Sequence, residues 1–382
     1  MRFVVAFGAV SMFADMVYEG ARSITGPYLA TFGASAAIVG LVTGMGEATA
    51  LVLRLPSGKF ADRTGRLWPL SIVGYAMTVI AVPLLALTQV FWQAAALIIA
   101  ERFGKAVRTP ARDSMLAAAS VRFGRGTIFA IHEAMDQSGA LIGPLIIAAM
   151  IAVSGYRAGF AVLAIPGVMA LAVLGWLRTS VPHPLAYEAE SAVAAAVEPG
   201  RGEALPARFW LYLAFTCLAM LGFSTFAVPA YHMHVAGVLT DDMIPVTYAA
   251  AMAAAGSAAL ISGRLYDRIG LWSLSAALVL AVAAAMLIFS TDPAKVWAGA
   301  IVWGATAGIH ESTMRAAVAD IVPRSRRGEG YGIFAAGYGL AWLAGSTLMG
   351  LLYPVSLTGL VAFVAATQAV ALTLLIRIAT TG

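Results

Sequence analysis

Helical spacing gathers the ionisable residues of this 382-residue chain onto a few faces. Asp15, Glu19 and Arg22 stand at i, i+4 and i+7, and Glu101, Lys105, Arg108 and Arg112 follow the same rule further on. His132, Glu133 and Asp136 form a third group, His310, Glu311 and Arg315 a fourth, and Glu47 stands alone. All lie in strongly apolar stretches. A carboxylate in low dielectric favours its neutral form, and a neighbouring cation favours the ionised one, so relative movement of the two can drive proton uptake and release. The same groups could instead make a static salt-bridge network. The proton-handling set expected from this pattern is Asp15, Glu19, Glu47, Glu101, Arg102, Arg108, Glu133 and Asp136, with Arg54 also inside a span. At about 1.5 Å per residue, Asp15, Glu47, Glu101 and Asp136 fall near the middle of their helices.

Other chemistries are poorly served. His132-Glu133 lacks a second histidine three residues on, and no Gly-rich Lys-Ser/Thr loop exists to cradle a nucleotide, so neither an enzyme nor an ATP-driven pump is expected. The lone Cys217 excludes an internal disulfide and a multi-cysteine cluster. No cofactor and no resident metal are expected. His132, His232, His234 and His310 keep a transition-metal substrate open as an alternative, although His232 and His234 are about 200° apart on a helix. What remains is a carrier driven by an ion gradient, or a carrier-like sensor.

The elements that must position these residues are membrane helices. Apolar residues make up 61% and charged residues 11% of the chain, too few polar groups to cover a water-facing surface. Segments long enough to cross a bilayer can be marked at 3–30, 36–57, 67–88, 91–113, 126–150, 158–178, 208–236, 243–262, 272–290, 295–318, 330–352 and 356–377. The first holds Asp15, Glu19 and Arg22 and is expected to stay as a span, not to be cleaved as a signal peptide. Arg and Lys cluster in alternate loops, such as Lys59, Arg63 and Arg66, whereas the opposite loops hold only Arg157 and Lys295. By the positive-inside rule both termini are cytoplasmic, and the basic charge reflects topology, not a nucleic-acid partner. Residues 179–207, with Pro182, Pro184 and Pro206 among alanines and glutamates, read as a polar cytoplasmic linker, part of which could be an amphipathic surface helix.

The chain is also a tandem. Gly58, Asp62, Arg63 and Gly65 recur as Gly263, Asp267, Arg268 and Gly270, 205 positions later, and Ile128-Phe129-Ala130 recurs as Ile333-Phe334-Ala335 at the same offset. This predicts two six-helix bundles in one orientation, 1–178 and 208–382. The interiors of the third, sixth, ninth and twelfth spans contain no Asp, Glu, Lys, Arg or His, which places them against lipid. The halves differ in chemistry, since at the same offset Asp15 meets Met220, Glu47 meets Met252 and Asp136 meets Ala341. The first half is therefore expected to handle protons, and Phe223, Phe226, Tyr338 and Trp342 of the second to offer an apolar or aromatic substrate surface. His132, His310, Glu311 and Arg315 complete the expected substrate cavity.

This arrangement resembles the major facilitator superfamily. Gly58, Asp62, Arg63, Gly65 and Arg66 are similar to its signature between helices two and three, expected in the loop there, with a shortened copy carrying Asp267 and Arg268. The resemblance implies an all-α protein of twelve transmembrane helices, working by alternating access, with this loop as a cytoplasmic gate. A plain topological role for the basic loop is the alternative. Gly139-x-x-x-Gly143-Pro144 in helix five is similar to the motif of the superfamily's antiporters, without the paired glycines after the proline, and also reads as a close-packing face. Glu101 to Asp113 is similar to the fourth-helix motif of proton-coupled members. Together these imply a drug/proton-antiporter-like exporter of a small amphipathic compound. It would be a monomer in the inner membrane, with the lipid bilayer, protons and a small-molecule substrate as partners. A proton symporter importing a metabolite carries the same charges.

Overall fold

A single apolar segment can satisfy its backbone inside a bilayer only as a helix, and helix is what these segments form. The computed structural model describes residues 2–120, 125–184, 204–323 and 326–380. The described helices are α1 (Arg2–Ala30), α2 (Ala36–Val52), α3 (Arg54–Thr64), α4 (Leu67–Leu84), α5 (Phe91–Ser120), α6 (Arg125–Val162) and α7 (Ala164–Ser180). In the second half they are α8 (Ala207–Leu221), α9 (Ala227–Val235), α10 (Met243–Ile269), α11 (Ser275–Ile288), α12 (Pro293–Ile321), α13 (Arg327–Leu352) and α14 (Leu357–Thr380). Gly155, at φ 75°, turns the chain within α6 and separates the fifth span from the sixth. Twelve spans result. The stretch 185–203, on which a surface helix was a possibility, lies outside the described residues.

Three spans are interrupted, the sixth of them at Leu163. The second breaks at Leu53, so that α3 runs on to Thr64, and the seventh opens between Leu221 and Ala227. In the seventh, Phe223 and Phe226 keep the stretch apolar, so hydropathy alone does not show the break. The Gly58-to-Arg66 signature consequently lies mostly on helix, not in the expected loop: Gly58, Asp62 and Arg63 ride the last turns of α3. Gly65 ends the helix at φ 63°, its N–H donating to the Ala61 carbonyl. In the second copy Asp267 and Arg268 end α10, and Gly270 takes φ 58°. A left-handed backbone at the same repeat position is what both glycines supply.

The described residues form two compact units, one of Met1–Arg22 with Thr49–Ala196, the other of Ser23–Ala48 with Val197–Gly382. In the first, α4 lies against α5 and α7, and α3 against α5. α1 meets α6 so closely that a Cβ on Gly139 or Gly143 would overlap the carbonyl oxygen of Met12 or Met16. The second unit repeats the pairings, with α11 against α12 and α14, α10 against α12, and α8 against α13.

The segment Ser23–Ala48, the end of α1 and the start of α2, packs with the second half. A Cβ on Gly26 would strike the carbonyl of Ala227, one on Gly40 that of Ser346, and one on Gly350 that of Ala36. Thr43 Oγ1 lies 2.8 Å from Thr225 Oγ1. The charge-free spans expose apolar side chains: Val73 and Ile80 on α4, Val168 and Trp176 on α7, Val279 and Met286 on α11, and Val370 and Ile376 on α14. That is the surface a lipid-facing helix presents.

Candidate transport site

α5 supplies a dense cluster of charge to the first unit. Arg108 is 2% exposed, and its Nη1 donates to Thr78 Oγ1 at 3.1 Å. Its guanidinium carbon sits 4.5 Å from the centroid of Tyr75 and 5.6 Å from that of Tyr18. Lys105 Nζ lies 4.0 Å from the Tyr18 centroid and Arg102 Cζ 5.4 Å. Three cations thus share one aromatic ring, each gaining from its quadrupole what water no longer supplies. Asp15 and Glu19, both buried, hold the adjoining face of α1, where Arg22 Nη1 is 3.3 Å from Glu19 Oε1. Glu101, also buried, meets Arg102 Nε at 3.1 Å.

A second chain of contacts joins α1, α4, α5 and α6. Ser11 Oγ is 3.1 Å from the Tyr75 hydroxyl and 2.9 Å from His132 Nε2. His132 Nδ1 is 3.3 Å from Asp136 Oδ2, and Arg112 Nη1 is 3.7 Å from the same oxygen. Arg112 Nε also meets Asp113 Oδ1 at 2.9 Å. Both nitrogens of His132 are therefore engaged within this unit, although the sequence placed it in the substrate cavity. Glu133 is exposed and accepts a hydrogen bond from Gln137 Nε2 at 2.9 Å. Glu47 is buried but belongs to the other unit, through Ser23–Ala48. Ser11, Tyr18, Tyr75 and Thr78 had no place in the sequence expectation, because neutral hydroxyls and tyrosines in a membrane span carry no charge signal.

In the second unit the break in the seventh span puts Phe223 at its centre and Phe226 at its end. Phe223 stacks on Trp303 at 5.3 Å between centroids and meets His310 edge-on at 5.0 Å, while Phe226 packs against Tyr248 at 4.6 Å. Trp342 lies 6.3 Å from Phe223 and 5.8 Å from Tyr338. Backbone groups freed by the break are taken up by side chains: Trp303 Nε1 donates to the Ser224 carbonyl at 3.1 Å, and the Thr225 N–H donates to Ser346 Oγ at 2.9 Å. A discontinuous helix with its polar backbone satisfied by neighbours is a recurring way to build a transport site. Trp303, which the sequence reading passed over, ties the break to α12.

His310 is fully buried in this cluster, whereas Glu311 and Arg315 are exposed on another face of α12. His232 and His234 go separate ways: His232 contacts the Tyr353 hydroxyl at 2.9 Å and the Ser290 carbonyl at 3.0 Å, and His234 contacts Asp241. Among the described residues no three His, Cys, Asp or Glu side chains converge as metal donors would.

The family model described as Major Facilitator Superfamily matches residues 7–346 and again 248–381. The chain belongs to this superfamily. It is a multi-pass membrane transporter of small molecules, not an enzyme. An uncharacterised protein of Mycobacterium tuberculosis is 50% identical over 379 residues, covering 99% of this chain and 93% of that protein. An uncharacterised transporter of major facilitator type from Methanocaldococcus jannaschii is 28% identical over 141 residues, 37% of this chain and 35% of that protein. Among solved structures, the nucleoside transporter NupG aligns with a TM-score of 0.73 at 13% identity, covering 99% of this chain and 98% of that one. A bacterial homologue of the human lysosomal transporter Spinster, inward-facing and occupied, gives 0.69 at 15% identity over 99% and 94%. At such identities the likeness is one of fold.

In this superfamily member the signature helix α3 rests on α5. Ser57 Oγ donates to the Ala106 carbonyl at 2.7 Å, and a Cβ on Gly58 would meet Pro110 at 3.6 Å, ordinary contact. Asp62, Arg63, Arg66, Asp267 and Arg268 are exposed. Among the described residues the Asp62 carboxylate makes no hydrogen bond or ion pair. The helix-five glycines make the α1–α6 contact already described, with Pro144 one residue beyond Gly143.

Proposed function

We propose that this transporter exports a small amphipathic organic compound in exchange for protons, by alternating access across a bacterial inner membrane, as a monomer with both termini in the cytoplasm. The observation that carries this reading is the burial of Asp15, Glu19 and Glu101 in the unit that also holds Arg102, Lys105 and Arg108, a concentration of charge that a purely structural bundle has no need to retain at bilayer depth. The second unit supports the other half of the proposal with an uncharged aromatic cluster around the broken seventh span. In this reading 1–178 and 208–382 are the two moving bundles, 179–207 is their linker, and the drug/proton-antiporter class is the nearest in type.

The test is reconstitution into proteoliposomes under an imposed pH gradient, with a panel of lipophilic cations, sugars, peptides and divalent metals and a trapped pH dye as the second readout. Substrate-dependent proton movement in the direction opposite to that of the substrate is the expected result. Substrate movement indifferent to the gradient removes proton coupling, and co-directional movement makes the protein a symporter.

The gate carries its own expectation. The first copy of the signature adjoins the charged unit and ends in Arg66, whereas the second is shortened, so Asp62→Asn should lower the transport rate by about tenfold and Asp267→Asn by less than about twofold. Initial rates of the two variants at matched protein content decide this, and equal losses would remove the ranking.

A further inference from the structure

The contacts of His132 assign it a task different from substrate binding. Asp136, when ionised, can only accept, and its Oδ2 lies 3.3 Å from Nδ1, a proximity that favours the imidazole proton on that nitrogen. Nε2 is then the acceptor, and the Ser11 hydroxyl must donate to it across 2.9 Å. With its own proton committed, Ser11 accepts from the Tyr75 hydroxyl at 3.1 Å. Every donor and acceptor in the chain is used once and in one direction. Asp136 Oδ1, in contrast, is buried and has no hydrogen-bond donor among the described residues.

We propose that Ser11 and Tyr75 are positioning residues that hold His132 as the Nδ1–H tautomer, which faces Asp136 Oδ2 and leaves Oδ1 as the atom of this carboxyl that takes up and releases a coupling proton. The inference rests on the proton-coupled reading given above. Protonation adds one proton at Oδ1 and takes the carboxyl from an anion to a neutral acid, while the imidazole stays neutral and keeps its proton on Nδ1. The charged and titratable groups facing this pair are Lys105, Arg108, Arg112 and Asp113 from α5, Asp15 from α1, Glu133 from α6 and Tyr75 from α4. Arg112 is the cation nearest the same oxygen, at 3.7 Å, and the neutral His132 Nδ1 stands 3.3 Å from it.

The lock has a signature that packing alone would not have. Without the Ser11 hydroxyl, Nε2 loses its donor, the other tautomer becomes accessible, and its Nδ1 lone pair repels an ionised Asp136. The neutral acid is then favoured, and the midpoint of proton uptake moves to higher pH, by about one unit. The experiment uses the full-length protein in nanodiscs, with no substrate required: the tautomer of His132 by nitrogen-15 NMR of histidine-labelled protein, assigned by loss of its signal in His132→Gln, and the carboxylic C=O band by infrared titration, assigned with Asp136→Asn.

Wild type should show the Nδ1–H form, Ser11→Ala should shift both the tautomer and the midpoint, Ser11→Thr should restore them, and Tyr75→Phe should give a smaller shift in the same direction. An Nε2–H or cationic imidazole in wild type overturns the proposal. So does an unmoved midpoint in Ser11→Ala, or a shift in Ser11→Thr as large as that in Ser11→Ala. Proton flux under an imposed gradient separates the two levels: if no gradient drives transport while tautomer and titration behave as stated, the coupling reading falls and the lock stands.

Discussion

Proteoliposomes carrying Asp15→Asn should lose proton-driven transport by about a hundredfold, the low end of what a positioned proton-transfer group contributes, while exchanging substrate at equal pH nearly as wild type does. Asp15 is 7% exposed, and Lys105, Arg108, Asp136 and Glu19 are charged groups around it. An amide keeps the size and one acceptor of the carboxylate but cannot exchange a proton, so the link between proton and substrate movement is cut. Exchange at equal pH needs no net proton movement and therefore reports the substrate path alone. The structural alternative predicts otherwise. If Asp15 only neutralised Lys105 and Arg108, the amide would leave buried cations uncompensated, at a cost of up to about 3–5 kcal/mol. Coupled transport, exchange and melting temperature would then all fall together. Equal loss of exchange and coupling would thus assign Asp15 to the scaffold.

The sequence carried the fold because its two strongest signals, span-length apolarity and a 205-residue repeat, are set by the bilayer and by duplicated geometry. The repeat survives in the backbone, where Gly65 and Gly270 both adopt left-handed φ angles of 63° and 58°. It also survives in the helix pairings of the two halves. The faces of α1 and α5 were legible for the same reason, since charge in an apolar helix is conspicuous and helical spacing tells which residues share a side. What stayed hidden is tertiary. Ser11 meets His132 across 121 positions and Tyr75 across 64, and a hydroxyl in a span has no local mark of importance. The interruption at Leu221–Ala227 was hidden too, because Phe223 and Phe226 read as more span until Trp303 and Ser346 are seen satisfying the backbone they leave open. Attachment of Ser23–Ala48 to the second half could not be read from chain order at all.

That attachment sets up the second large expected effect, a contrast between two glycines. Gly143 and Gly40 both face a carbonyl oxygen, of Met16 and Ser346 respectively, with no room for a Cβ. Gly143 lies in the α1–α6 contact of the first unit, which the proposed cycle keeps closed. Gly40 lies where α2 meets α13, a contact that the proposed alternating access would open. Overpacking costs about 1–3 kcal/mol where side chains can adjust, and a backbone neighbour puts both sites at the upper end. For Gly143→Leu the whole penalty falls on folding, and a melting temperature lower by several degrees is expected. For Gly40→Leu the penalty falls only on the conformation with this contact closed, so about 2.7 kcal/mol shifts the population about a hundredfold toward the open one at little cost in stability. Thr43→Cys in a Cys217→Ser background reports the difference, because Thr43 is hydrogen-bonded to Thr225 in the closed contact. A membrane-impermeant maleimide should label it much faster when Gly40→Leu is added and no faster when Gly143→Leu is added. Unchanged labelling with Gly40→Leu, in protein that still folds, would mean that α2 and α13 do not part during transport.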